Sequence, residues 1–358
     1  MASALLLSSV VPSAVALCAA CARPVSLHPP RLPRTGSAQI HMGMMSDSRP
    51  TQEYMDFLLG RNVQEESEDC ASIIVGDGRV GALLMDFGKR RGYEDILIRR
   101  GDPIPELEAG GNLVRKPIYV CTNSDDLEAV VAACPEARRE DLVFLQSGQL
   151  EPFRQRTGLY ETTQAVLWFA AMRKGAKPRD GVTAESPEGL SAVSGTWAGA
   201  LKMRLGTGGL TCAAVQERDL RRNMLEKLVW TCAFNLIGAV HGGITVGEVE
   251  SKHREEVEDL IVELASFCRF TLTVSLKTGL EDRLCAYSRT VEFLPTALRE
   301  FEWTNGYFYR YTLMAGKRTN PAGITVEMPD TTPMHTEYLL RARDMGLISN
   351  AELESVRR

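Results

Sequence analysis

Short apolar runs rich in β-branched residues punctuate the chain between residues 70 and 150, and a helical spacing takes over beyond about Pro187. Ile73, Ile74 and Val75, bounded by Gly76, have the form of a buried strand. Val80, Leu83, Leu84 and Phe87 then fall on one face of a helix that stops near Gly92. Further strands are expected over residues 95–98, 117–122 and 141–148. A helix is expected over 124–134, with Ser124 or Asp125 near its N-cap. Strands alternating with helices predict an α/β domain built on a doubly wound parallel sheet. The spacing downstream predicts an all-α C-terminal domain.

The turn between the first strand and its helix reads Gly76-Asp77-Gly78-Arg79-Val80-Gly81. In a strand–turn–helix–strand unit this favours a dinucleotide cradle of the Rossmann type; the alternative is only a strand meeting a helix at a tight turn. Gly76 allows the turn, Gly78 bares backbone to a pyrophosphate, and Gly81 lets the helix pack on the strand. The first-turn amides, including those of Asp77, Arg79 and Val80, face the anion. The second strand ends in Arg99 and Arg100, where an NAD site usually carries an acid. Guanidinium groups suit a 2′-phosphate, which favours NADP(H); the alternative is a pair of solvated loop charges.

In the helical half, residues 222–243 are apolar around much of the helix. Asn223, Lys227, Thr231 and Asn235 recur every four residues and form one polar stripe. A buried lysine is costly without a partner or a task; the alternative is a rim residue whose ammonium reaches water. Ser288, Glu300, Glu302 and Asn305 lie downstream among aromatics, and either glutamate is a candidate partner for Lys227. Hydride delivery to a carbonyl needs a proton source at the nascent alkoxide, a role that suits a lysine oriented by a carboxylate.

The chain has 358 residues, 44% hydrophobic and 24% charged, which is ordinary for a soluble globular protein. A net charge of −5 gives no reason to expect nucleic acid as a partner. Before Asp47 there is no acidic residue, and the segment is rich in Ser, Ala and Pro with Arg23, Arg31 and Arg34. This is the composition of an organelle transit peptide, with the plastid as the expected destination. The apolar start, ending near Cys18 and Cys21, also fits a secretory or two-part leader. Ser8, Ser9, Pro12 and Ser13 make it a poor spanning helix, so stable membrane insertion is not expected. Cys70, Cys121, Cys134, Cys212, Cys232, Cys268 and Cys285 are scattered, which suggests reduced thiols. The five histidines are dispersed as well, and no metal site is expected. The expected organisation is a leader (1–45), a linker with one short helical turn (46–69), an NADP-binding domain (70–188), a helical substrate domain (189–348) and a tail (349–358).

Over residues 72–347 the segments quoted, with "LQSG", "EKLVWTCAFN", "SRTVEFLPTALREFEWTNGY" and "TTPMHTEYL", resemble in order the ketopantoate reductase (2-dehydropantoate 2-reductase) family. That family reduces a 2-oxo acid with NADPH in the cleft between a Rossmann domain and a helical domain. The resemblance implies that Lys227 is the catalytic lysine and that Glu300, six before Gly306, is its glutamate. It implies that Ser288, twelve before Glu300, and Asn235 contact substrate. Departures accompany it. Asn123 stands on the cofactor side where the family has a lysine, Ser147 and Thr231 stand where it has substrate-contacting asparagines, and Thr245, Val246 and Gly247 replace its later Asn-Gly. The resemblance therefore implies a small-molecule partner, a 2-oxo acid or related carbonyl, and leaves a homodimer open. The alternative is a non-catalytic NADP-binding sensor or assembly protein of an organelle.

Overall fold

A computed structural model of the chain describes residues 67–106, 115–319 and 325–356. The leader, and the linker up to residue 66 with its expected helical turn, lie outside the described residues.

The glycine turn joins strand β1 (Ile73–Val75) to helix α1 (Arg79–Arg90). There follow β2 (Ile96–Ile98), β3 (Ile118–Val120), α2 (Leu127–Ala133), β4 (Leu142–Phe144), α3 (Glu151–Arg156) and β5 (Thr163–Val166). A small hairpin, β6 (Phe169–Ala170) and β7 (Arg179–Asp180), precedes β8 (Ala192–Ser194), α4 (Ala198–Thr207) and β9 (Ala213–Ala214). The main sheet runs β2-β1-β3-β4-β5-β8-β9. Its pairs are parallel except β5 with β8. Alternation along each strand feeds two cores. Ile74, Tyr119 and Val143 pack with Leu84, Phe87 and Leu201 on one face. Ile73, Val75, Ile118 and Phe144 pack with Val130 and Phe153 on the other. Burial on both faces is what a parallel sheet requires.

The sheet continues past residue 189, where the sequence pattern placed the domain boundary. Strands β8 and β9 and helix α4 complete it, so the change to helices comes at Gln216. These strands have 3 and 2 residues, too short to register as a period.

Beyond Gln216 come α5 (Glu217–Val240), α6 (Val246–Lys252), α7 (Arg254–Phe270), α8 (Leu280–Thr290), α9 (Asn305–Thr312), α10 (Pro333–Asp344) and α11 (Asn350–Ser355). One hairpin, β10 (Gly316–Thr319) with β11 (Thr325–Met328), interrupts them. Helix α5 is buried nearly all round and forms the axis of this region, whose core includes Leu228, Phe234, Leu260, Leu284 and Phe308. Its Glu226 pairs with Arg283 of α8 at 2.8 Å, one buried charge satisfying another. Residues 349–356, expected as a tail, are instead part of the fold. Ser349 and Glu352 form a capping box, and Leu353 and Val356 are buried. Met45–Arg358 forms one compact unit. The seven cysteines outside the leader are free thiols. No described helix is long and apolar enough to cross a membrane.

Candidate active site

The glycine turn opens a cleft of about 520 Å³, lined also by Ile98, Arg99, Arg100, Thr122, Asn123 and Asp126. The glycines there are needed. Gly76 has φ +106°, and a Cβ on it would come within 2.9 Å of the Cys121 carbonyl oxygen. A Cβ on Gly81 would come within 2.0 Å of the Gly76 oxygen, whereas at Gly78 the nearest atom is 3.9 Å away, so that backbone is bare. The cradle therefore fits a dinucleotide pyrophosphate. Arg99 pairs with Asp77 at 3.3 Å and Arg100 with Asp126 at 2.9 Å, both largely exposed at the cleft. Asp77 is held between Lys174 and Arg99, and the Lys174 hydrogen bond, more than any other contact, keeps its carboxyl below the usual range. Val80 packs into the sheet core, and Arg79 turns away from the cleft to donate to the Ala171 carbonyl at 3.1 Å.

Arg79 instead lines a second cavity of about 380 Å³, between the sheet domain and the helices. Ser147, Thr231, Asn235 and Glu300 line it as well, so the structure brings four of the expected substrate-side residues together. Its outer wall is the loop 291–296, stitched to the start of α6 by Val246 N–H to Leu294 O (2.8 Å) and Thr296 N–H to Ile244 O (3.2 Å). Gly247 permits this approach, since a Cβ there would meet Glu292 Cβ at 2.6 Å. Thr245 caps α6 in a capping box with Glu248, which accounts for the Thr-Val-Gly found there. Asn235 is largely occupied by the fold. Its amide donates to Thr231 O at 2.8 Å and accepts from Ala297 N–H at 3.2 Å.

Glu300 sits on the seam between the two cavities. Its backbone is left-handed, φ +48°, an uncommon conformation for a residue with a side chain and one concentrated at functional sites. Its carboxylate accepts from the backbone N–H of Ser124, next to Asn123 in the nucleotide cleft. Three residues on, Trp303 Nε1–H donates to Asp125 (2.9 Å) and Trp303 O accepts from Gln149 N–H (2.9 Å). Gly148 makes this docking possible, because a Cβ would lie 2.8 Å from Trp303 Cβ. Gln146 ties the same region to β3 through Val120 O and Thr122 O, both at 3.0 Å.

The expected Lys227–Glu300 pair is not formed. Lys227 is buried, and no carboxylate among the described residues partners it. Its Nζ lies 4.3, 4.1 and 4.7 Å from the ring centres of Trp168, Trp230 and Tyr287 and donates to Tyr287 Oη at 3.5 Å. Three ring faces replace the carboxylate as the cation's partner. Ser288 is also displaced from its expected role. Its Oγ is fully buried between Trp230 Nε1–H (2.8 Å) and Leu284 O (2.9 Å), and it does not line the cavity. Glu302 is exposed and does not line the cavity either.

Arg79, Arg299 and Asn305 are among the cavity residues that were not singled out from the sequence as substrate contacts. The side chain of Asn305 accepts from His335 Nε2–H at 2.9 Å, and burial pushes His335 down to about 3, so the ring is neutral. Arg79 had a readable signal, a charge inside a glycine turn. His241 and His253, dispersed in sequence, stack at 3.8 Å and share the Glu256 carboxylate at 2.9 and 3.2 Å, with Tyr338 on the same carboxylate. The two ring nitrogens and the carboxylate lie close enough together to hold a metal ion, a grouping that their spacing in the sequence did not suggest.

No family model matches the chain, and no curated protein matches it in sequence. Solved structures do match in fold. D-mandelate dehydrogenase, in a ternary structure with NADH and anilino(oxo)acetate, is 11% identical with a TM-score of 0.52, covering 80% of this chain and 100% of that one. A protein from Ralstonia solanacearum MolK2, described as a candidate ketopantoate reductase, is 14% identical with a TM-score of 0.50 and coverages of 78% and 99%. The fold is of the ketopantoate reductase type. The 2-dehydropantoate 2-reductase of Methylococcus capsulatus is also similar, at 14% identity, a TM-score of 0.46 and coverages of 80% and 94%. At these identities the likeness is one of architecture, a parallel-dominated sheet followed by helices.

Proposed function

We propose that the protein is a nicotinamide-dependent reductase of a 2-oxo acid, with NADPH as its preferred cofactor. The observation that carries this reading is the seam at Glu300: a residue of the substrate cavity bonded to the turn that walls the nucleotide cleft. The fold is shared with a D-mandelate dehydrogenase and with a candidate ketopantoate reductase, which supports the same class.

The nicotinamide supplies the hydride for the carbonyl carbon. The chain does the rest. Gly76 makes the turn, Gly78 presents bare backbone to the pyrophosphate, and Arg99 and Arg100 hold the 2′-phosphate. Arg79 and Arg299 neutralise the substrate carboxylate. Lys227 holds the proton required by the nascent alkoxide. It lies one helical turn before Trp230 and Thr231, which both line the cavity, so leaving the ring cage brings its amine toward the substrate. Glu300 keeps the two domains in register and shields the cavity from water. The leader directs the protein to a plastid, which a fluorescent fusion of residues 1–45 checks by its destination.

The test is loss of NADPH absorbance across a panel of 2-oxo acids, with NADH in parallel. Turnover of at least one acid, faster with NADPH, is the expected result. Tight NADPH binding with no turnover would favour the second reading, a non-catalytic NADP-binding sensor or assembly protein. The burial of Ser288 and the caged Lys227 are the observations on that side.

A further inference from the structure

The substrate cavity is two-sided. Its apolar side is Trp230, Val246, Phe293, Leu294 and Pro295, completed across the domain seam by Met172. Met172 is 67% exposed, a large apolar side chain left at the mouth of a cavity. An unbranched thioether in that place adapts to an apolar ligand. Phe293 and Leu294 are only half-buried, although the backbone around them is fixed to α6. The wall is therefore rigid in position and unfinished in packing.

The polar side carries two arginines that pair with no carboxylate among the described residues. Arg299 is exposed and has no ion pair among the described residues. The guanidinium of Arg79 has the Ala171 carbonyl as its partner and no carboxylate. Besides the hydroxyls of Ser147 and Thr231, the polar groups of the lining are partly engaged by the fold. Asn235 is engaged with Thr231 and Ala297, Asn305 accepts from His335, and the Glu300 carboxylate accepts from Ser124.

Resting on the reductase reading above, we infer that the substrate is a 2-oxo monoacid bearing an aryl or branched-alkyl body. Arg299, assisted by Arg79, anchors its carboxylate, and Phe293 with Met172 and Leu294 encloses its side chain. A hydroxylated acid would set its hydroxyl against this apolar wall, which lowers its rate by about a hundredfold at most. A cavity of about 380 Å³ has room for a phenyl-bearing acid.

The experiment compares kcat/KM for phenylpyruvate, 4-methyl-2-oxopentanoate, pyruvate, 2-oxoglutarate and ketopantoate, with NADPH, in the parent and in Phe293→Ala and Arg299→Gln. The first two acids should exceed pyruvate by about tenfold to a hundredfold. Phe293→Ala should cut the phenylpyruvate-to-pyruvate ratio about tenfold, a ratio that partial misfolding does not change. Arg299→Gln should raise KM for every acid more than it lowers kcat. Preference for pyruvate, 2-oxoglutarate or ketopantoate, or an unchanged ratio in Phe293→Ala, overturns this inference and leaves the reductase reading standing. Reduction of none of the acids overturns both.

Discussion

The ammonium of Lys227 lies 4.1 Å from the centre of the Trp230 ring, and the same indole donates its N–H to Ser288 at 2.8 Å. One tryptophan thus occupies two polar residues of the helical domain and also forms a wall of the cavity. Trp168, from the sheet domain, closes the cage from the other side. The lysine is held by quadrupoles instead of a charge, and its proton is loosely kept.

A pH signature follows for Lys227. Burial pushes its amine down from 10.5 to about 7. An acid with that value must be protonated to act, so kcat/KM should be flat below about pH 6 and fall about tenfold per unit well above 7. Stability moves the other way. Between pH 7 and 10.5 the unfolded chain carries the proton and the folded chain does not, so stability rises with pH across that window. The burial cost is full below pH 7 and absent above 10.5. Lys227→Met should therefore melt several degrees higher than the parent at pH 6, at roughly 2–4 °C per kcal/mol, and the gap should close toward pH 10. Its turnover should fall by roughly 10²–10⁴-fold. Unaltered turnover in Lys227→Met would remove the lysine from the mechanism.

How much of this was legible in the sequence depended on range. The β1–α1 unit was, because the glycines and the apolar period lie within twenty residues and each has one local job. The polar stripe on α5 was legible as a face of a helix. What that face meets was not, since Trp168 lies far upstream in the other domain and no spacing rule connects it to Lys227. Ser288 was misplaced for the same reason. Its offset from Glu300 fits the family pattern, but its hydroxyl is claimed by Trp230. Residues 349–356 were misread although Ser349 and Glu352 stand at capping-box spacing, a signal strong enough to start a helix there.

Cofactor choice should reside in Arg99 and Arg100. Both are exposed at the cleft and already paired, with Asp77 and Asp126, so a phosphate competes with a carboxylate for each. Each charge-assisted contact is worth about 1.5–3 kcal/mol at most, and less when exposed. The double variant Arg99→Ser with Arg100→Ser should weaken NADPH at least tenfold and NADH little. Equal affinity of the parent for both cofactors, measured by titration, would refute this.

Arg204 is a buried hub of the sheet domain. It pairs with Asp69 at 3.1 Å and Asp95 at 2.8 Å, all three side chains almost fully buried. Burial raises the Asp69 carboxyl above 3.8, and Arg204 pulls it back. Arg204→Met should cost about 3–5 kcal/mol at neutral pH, because two buried carboxylates lose their cation. In the variant the Asp69 carboxyl is raised further, because it loses the cation that pulls it down. The folded chain then binds protons that the unfolded one releases above about 3.9, so the deficit should shrink as pH falls toward the carboxylate range. Denaturant melts at two pH values measure it, and a deficit independent of pH would point to lost packing alone.

Domain register should depend on Gly148. An alanine there would place its Cβ 2.8 Å from Trp303 Cβ and 2.9 Å from Trp303 O. Neither atom can move freely, since Trp303 O accepts from Gln149 N–H and its indole donates to Asp125. The loop carrying Glu300 must therefore lift, which breaks the bond to Ser124. Overpacking of this kind costs about 1–3 kcal/mol. The effect should fall on the substrate cavity, whose wall includes Glu300 and Thr304, and spare the glycine cradle on the far side of the turn. Gly148→Ala should thus lower the melting temperature by a few degrees and raise KM for the acid severalfold, with NADPH affinity within about twofold of the parent. Equal losses for acid and cofactor would show that the variant is disordered as a whole and that Gly148 does not act through the Trp303 loop.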